Sequence, residues 1–567
     1  MEYKSENRIC QNCRGNFVIE PDDFNFYEKI QVPPPTFCPE CRFQRRLIWR
    51  NDWHLFKKTD VLTGEKIFSI FPEESPVKIY DKDYWMSDAW DALEYGQEFN
   101  FSRPFFEQFK ELLHKVPLPS HSMYNIVNCS YCANADNIKG CYMVIAASYT
   151  EDSAYLIWDQ SSRQCFDSHM TNRCELGYGN VNTVMCYKTF FSVDCESCQE
   201  MILCKDCVGC NSCIASIGLR NKSYCIFNQE FSREEYMKKI KELNFGSEKK
   251  FQELKQKAYE HWLKFPQKFM HGRQNVSVSG DYIYESKSAK DCYRIRGVEN
   301  SKFIQNILIG PVKDCYDYTN WGDNAELLYE TMMTGDGASN VKFSVWTYPN
   351  VKNLTYSVFC TNSCSDLFGC ISLRKKQYCI LNKQYTKEEY EILVPKIIEY
   401  MKTTGEYGEF FPASLSPFSY QVSQAYEFFP MEEWDVKEKG FSWYSIEKQN
   451  YEFTLNSKDI PDNISEIDKS ITKEVIACAH EGKCKHECTG AFRVIDSELE
   501  FLKKMNLPLP RLCPNCRHYQ RLKQRNPLKL WHRKCMKEDC ENEFETSYAP
   551  DRLEIIYCEK CYQQEVY

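Results

Sequence analysis

The chain has 567 residues, 43% hydrophobic and 15% aromatic, with a formal net charge of −9 and 32 cysteines. That length exceeds one hydrophobic core, so several domains are expected; the acidic balance argues against a uniformly basic nucleic-acid binder, and no apolar run is long enough to span a bilayer. No signal-like segment follows Met1, and cysteines in CxxC pairs point to metal in a reducing cytoplasm rather than to a secreted disulfide scaffold, which is usually short.

The first 58 residues (1–58) read as a zinc ribbon with a basic helix. Cys10-x2-Cys13 and Cys38-Pro-Glu-Cys41 supply two thiolate pairs about 25 residues apart, the arrangement a closed tetrahedral site needs. The second pair should open a short helix through about Arg50. Residues 59–120 form an aromatic connector running through Tyr84-Trp85-Met86-Ser87-Asp88-Ala89-Trp90. It ends in a helix predicted at about 103–115, with Ser102 as N-cap. Asp88 and Asp91 read as turn caps rather than as a catalytic carboxylate pair.

Residues 121–264 and 265–402 are each expected to be a β-solenoid-like module closed by helix, with short Asn/Cys/Tyr-rich segments recurring roughly every 20 to 24 residues. The tails match at an offset of 154: Leu219-Arg220-Asn221-Lys222-Ser223-Tyr224-Cys225-Ile226-Phe227-Asn228 against Leu373-Arg374-Lys375-Lys376-Gln377-Tyr378-Cys379-Ile380-Leu381-Asn382. Each tail precedes a capping box, Ser232 with Glu235 and Thr386 with Glu389. A pair of irregular β-sandwich modules is the alternative. The cluster Cys195, Cys198, Cys204, Cys207, Cys210 and Cys213 reads as small buried thiols; an additional metal site is the competing reading.

Residues 403–470 are a connector. Residues 471–534 are a second ribbon with a basic helix, and 535–567 a third ribbon. Shifting by 475 residues aligns Cys13 to Asn51 with Cys488 to Asn526 without a gap. The second ligand set is read as Cys484, Cys488, Cys513 and Cys516, with Cys478 or His486 able to replace Cys484. The third is Cys535, Cys540, Cys558 and Cys561. Sites closed by four thiolates are structural, and about three zinc ions are expected. At the 475 offset Asp60 lies opposite Cys535, so the first ribbon lacks this last site while Gly64-Glu-Lys-Ile-Phe68 keeps a similar hairpin.

Arg42, Arg46 and Arg50, repeated as Arg517, Arg521 and Arg525, lie at i, i+4 and i+8 on one helix face. Interleaved with Trp49, Trp53, Tyr519 and Trp531, they suit phosphate contact and base stacking. A solvated face, or pairing with Asp22, Asp23, Glu498 and Glu500, is the plainer reading.

The runs Cys10 to Arg46 and Cys488 to Arg521 resemble the treble-clef zinc-ribbon family: a Cys pair, a Phe four residues on, a Pro-x-Pro segment, then CPxCR and further arginines. The order of parts is similar to that of large bacterial proteins whose zinc ribbons flank a Cys/Asn-rich repeat region. The resemblance implies zinc and a fold, not a defined activity. The expected architecture is therefore multidomain, with ribbons at both ends of a duplicated β-rich body with interspersed helices. The sequence holds no Walker loop, dinucleotide fingerprint, GxSxG or HExxH. Its reading leans away from an enzyme, and the CoA-transferase-like label of some similar proteins finds no motif here. Contact with RNA, DNA or a ribonucleoprotein through the arginine helices is the leading expectation, and a protein-interaction scaffold the alternative.

Overall fold

The computed structural model describes residues 3–444, 451–484 and 486–566; residues 445–450 of the expected 403–470 connector lie outside them.

Each ribbon is a short antiparallel hairpin followed by a helix that begins beside a cysteine. In the first, Glu6–Ile9 pairs with Asn16–Ile19, and Cys38 is the N-cap of helix Pro39–Leu47. Proline suits that first helical position, because its missing N–H would have had no intrahelical partner. In the second, Ile476–Ala477 pairs with Ala491–Phe492, and Cys513 caps helix Pro514–Leu522. In the third, Trp531–Lys534 pairs with Glu543–Thr546, and helix Glu559–Val566 follows Cys558. The hairpin Phe56–Thr59 with Lys66–Ser69 is its counterpart after the first ribbon. There the Asp60 carboxylate accepts from the Leu62 N–H at 2.9 Å and the Thr63 hydroxyl at 3.2 Å. Hydrogen bonds thus close a turn that cysteines close in the third ribbon.

The body between the ribbons is β-rich. Ser130 pairs in parallel with Tyr142, Tyr142 with Ala154, Ala154 with Phe166 and Phe166 with Tyr178, so the chain returns over itself every 12 residues. The expected spacing of 20 to 24 residues corresponds to two such coils. Left-handed backbone occurs at every third residue, as at Asn134, Asn137, Gly140, Met143 and Ala146. Each coil is thereby bent into short sides of three residues. The residue after each corner points inward and is often small: Cys174, Cys186, Cys198 and Cys210 succeed one another at this position. Their thiols donate to backbone carbonyls, Cys174 to Thr183 and Cys198 to Cys207, both at 3.3 Å.

In the second half of the body the step lengthens in places. Gly280 pairs with Cys292, Val298 with Val312, Tyr316 with Tyr329 and Ser365 with Gln377. Both halves end alike. Asn228 brackets the backbone of Ile217, accepting from its N–H and donating to its C=O at 2.8 Å each. Asn382 does the same to Ile371, again at 2.8 Å. The capping boxes at Ser232 and Thr386 then start helices Arg233–Leu243 and Lys387–Thr403. Asn244 adopts left-handed backbone and separates the first from a second helix, Glu248–Trp262.

Helix Phe105–Lys115 lies where expected, but Ser102 does not cap it. The Glu406 carboxylate accepts from the N–H groups of Phe105 and Phe106 at 2.9 and 2.8 Å, and the anion favours the helix N-terminus. Asp91 caps a turn through Leu93 N–H at 3.0 Å, as expected. Among the described residues no helix is long and apolar enough to cross a membrane.

Candidate metal centres and ligand cleft

Cys10, Cys13, Cys38 and Cys41 bring their sulfurs within 4.8 Å of one another. Cys535, Cys540, Cys558 and Cys561 do the same. The Cys13–Cys38 and Cys540–Cys558 separations are 3.7 and 4.0 Å. Four thiolates about 2.3 Å from one tetrahedral ion stand about 3.8 Å apart, so both clusters can hold a metal with no open position.

The second ribbon corrects the expected set. Cys478, Cys488, Cys513 and Cys516 form the four-sulfur cluster, and Cys484 falls in a neighbouring group with His480, His486 and Cys516. A hydrogen bond common to all three ribbons gives the reason. The N–H of the third cysteine donates to the sulfur of the first: Cys38 to Cys10 at 3.2 Å, Cys513 to Cys478 at 3.3 Å and Cys558 to Cys535 at 3.3 Å. Cys478 is thus the counterpart of Cys10. It is held at the ladder end by Ala477 pairing with Ala491, and the longer loop places Cys484 with His480 and His486 beside Cys516.

The six stripe arginines are not presented to solvent. Arg42 and Arg46 are 1% and 0% exposed. Arg42 donates to Asp317 at 2.9 Å, and Arg46 reaches Asp317 at 3.0 Å and Glu330 at 3.4 Å. Arg50 pairs with Asp52 at 2.7 Å. Arg517 pairs with Glu498 at 2.7 Å and donates to the Tyr178 hydroxyl at 2.9 Å. Arg521 meets Asp167 at 2.5 Å, and Arg525 meets Glu427 at 2.7 Å. Of the four acids named as partners from sequence, only Glu498 serves; Asp23 pairs with Lys302 at 2.7 Å. Charges buried this deeply must be paired, and the pairing fixes the docking. The first ribbon sits on the second half of the body and the second ribbon on the first half. Aromatic packing agrees: Phe26 stacks on Tyr316 at 4.0 Å, and its counterpart Phe501 packs on Phe166 at 4.8 Å.

A cleft of about 2000 Å³ runs between the two halves. Its walls are two rows of left-handed corner residues. One carries Asn134, Trp158, Met170, Asn182 and Asp194; the other carries Tyr282, Arg294, Asn306, Asn320 and Trp346. At one end the walls are tied. The Tyr282 hydroxyl donates to Asp194 at 3.0 Å, and Arg273 donates to Glu196 at 2.8 Å. His271 lies there, stacked on Tyr282 at 4.3 Å, with its Nδ1 3.0 Å from Asp281. Burial would lower its pKa, but Asp281 and Asp194 outweigh burial and lift it to about 9. Toward the other end the Arg50 guanidinium lies over Trp158 and Trp346, at 5.8 and 5.4 Å.

Arg294 is the exception among the cleft arginines. It is 3% exposed, its Nε has no hydrogen-bond partner, and among the described residues no carboxylate pairs with it. Burial first, and then the charge of Arg525, push its pKa down to about 9. Asn306, beside it in the row, leaves its Oδ1 unpartnered as well. Sequence reasoning passed over Arg294, Trp158, Trp346 and His271. The available signal was the 12-residue coil step, which puts Tyr282, Arg294 and Asn306 on one row.

No protein-family model and no curated protein matches this chain.

Proposed function

We propose that this is a zinc-structured binding protein whose cleft, set between two β-solenoids related by duplication, takes a ligand with an anionic group attached to a flat ring. Support for zinc comes from the all-sulfur clusters and their spacing, which suit that ion and leave no room for bound water. The 12-residue parallel ladders and the paired Asn brackets favour the solenoid reading and the domain divisions drawn from sequence. The observation that carries the ligand assignment is Arg294. A buried guanidinium with no carboxylate is costly in the free protein and becomes favourable once an anion meets it. Trp158, half-buried in the same cleft, adds indole surface. A nucleotide, free or within a single strand, combines these two chemistries. Any nucleic-acid contact would then use the cleft, to which the arginine stripes contribute Arg50.

The test uses the nuclease-treated, metal-loaded full chain. Inorganic phosphate, adenosine monophosphate and a short single-stranded RNA are titrated by calorimetry, with Arg294→Gln in parallel. Binding by the wild type, at least tenfold weaker in the variant, is expected. Absence of binding by all three probes, or equal binding by both proteins, would overturn the assignment.

A further inference from the structure

The loop from Cys478 to Cys488 carries more ligand chemistry than one ion needs. With Cys478 in the four-sulfur cluster, Cys484 is released, yet its sulfur stays 3.5 Å from that of Cys516. One ligand atom from each of His480, Cys484, His486 and Cys516 lies within 4.8 Å of the others. The Nδ1 atoms of both histidines are buried and have no hydrogen-bond partner. Buried imidazole nitrogens ordinarily find one.

We propose that His480, Cys484, His486 and Cys516 hold a second metal ion in this ribbon, bridged to the first through the Cys516 thiolate. Two sulfurs and two nitrogens in tetrahedral reach suit zinc, and a thiolate retains lone pairs enough for two ions. Loading would release the Cys484 thiol proton. His486 Nε2 meets Lys523 at 2.9 Å, and its ring stacks on Tyr519 at 5.6 Å. With Nδ1 on the ion, Nε2 carries the ring proton, and the Lys523 ammonium must turn away from it.

The first ribbon shows what the same position does without this loop. Cys41 is the counterpart of Cys516, and only Gln11 and Asn12 separate Cys10 from Cys13. There the Asn12 amide donates to the Cys41 sulfur at 3.3 Å. A side-chain donor occupies the face of the thiolate that the second ribbon turns toward His480, Cys484 and His486.

This inference rests on the reading of the ribbons as metal sites, and one experiment separates the two. Full chain purified without added metal is analysed for elemental content beside Cys484→Ser and the milder His480→Asn, both of which keep the four-sulfur cluster intact. About four zinc ions per chain are expected in the wild type, one for each group, and about three in either variant. Cadmium-substituted protein should give two resonances coupled to each other through Cys516, with the coupling lost in both variants. Three ions in the wild type, four in every protein, or four uncoupled resonances would overturn the bridged site while leaving the other three centres standing. A folded wild type without metal would instead overturn the ribbon reading itself.

Discussion

Replacing Arg294 by methionine should stabilise the free protein, which is unusual for a buried position. A guanidinium held near 9, well below its ordinary value, carries a penalty of several kcal/mol at neutral pH. The sign follows from the charge. The folded state disfavours the protonated form, so the penalty is full below about pH 9 and eases only as pH rises beyond it; a comparison at pH 7 reads all of it. Water entering the cleft screens part of this, and exchange of buried charge for an apolar chain of similar length gains about 1–4 kcal/mol. The assay is urea unfolding of metal-loaded wild type and Arg294→Met, without ligand and with adenosine monophosphate. The variant should unfold at higher urea without ligand, and only the wild type should gain from the nucleotide. A variant destabilised by more than about 1 kcal/mol would refute the reasoning, because it would mean that the guanidinium already has a partner.

Arg517→Gln with Arg521→Gln should cost about 3 kcal/mol or more of stability, since Asp167 and Glu498 are left buried and unpaired; thermal unfolding measures this. His271→Gln should flatten a pH dependence: the charged imidazole contributes fully below pH 6.5, and its contribution is lost as pH rises through about 9, a window that urea midpoints across it would read. A strong chelator should unfold the ribbons and, because their arginines anchor both halves of the body, make the cleft walls susceptible to limited proteolysis.

The sulfur clusters near the two ends were legible because their residues are local: two Cys pairs and a CPxC helix start bring the sulfurs together without the rest of the chain. Cys478 was harder, since the insertion before Cys488 hid its equivalence to Cys10. The coil period was present but misread. From Cys129 to Cys225 every cysteine is separated from the next by a multiple of three residues, which is the inward position of a three-residue side. Style recurrence at twice the coil length masked it. The arginine stripes show a different limit. Spacing places them on one helix face but cannot say what that face meets. The Arg42 and Arg46 carboxylate at Asp317 lies 275 and 271 residues away in sequence. The cleft was out of reach for the same reason, since each wall is meaningful only opposite the other.

The crossed docking of the ribbons sets an order in time. Tyr178 and Asp167 in the first half receive Arg517, and the Tyr178 contact spans 339 residues of chain. At ordinary synthesis rates of about 5–20 residues per second, that half waits roughly 20–70 s on the ribosome with Asp167 and Tyr178 uncovered. Until Asp317 and Glu330 are made, the N-terminal ribbon, finished first, holds an arginine face without its own seat. Two complementary charged surfaces on one nascent chain can meet early and wrongly. Holding them apart until Asp317 and Glu330 emerge is a task for whatever attends the chain during its synthesis.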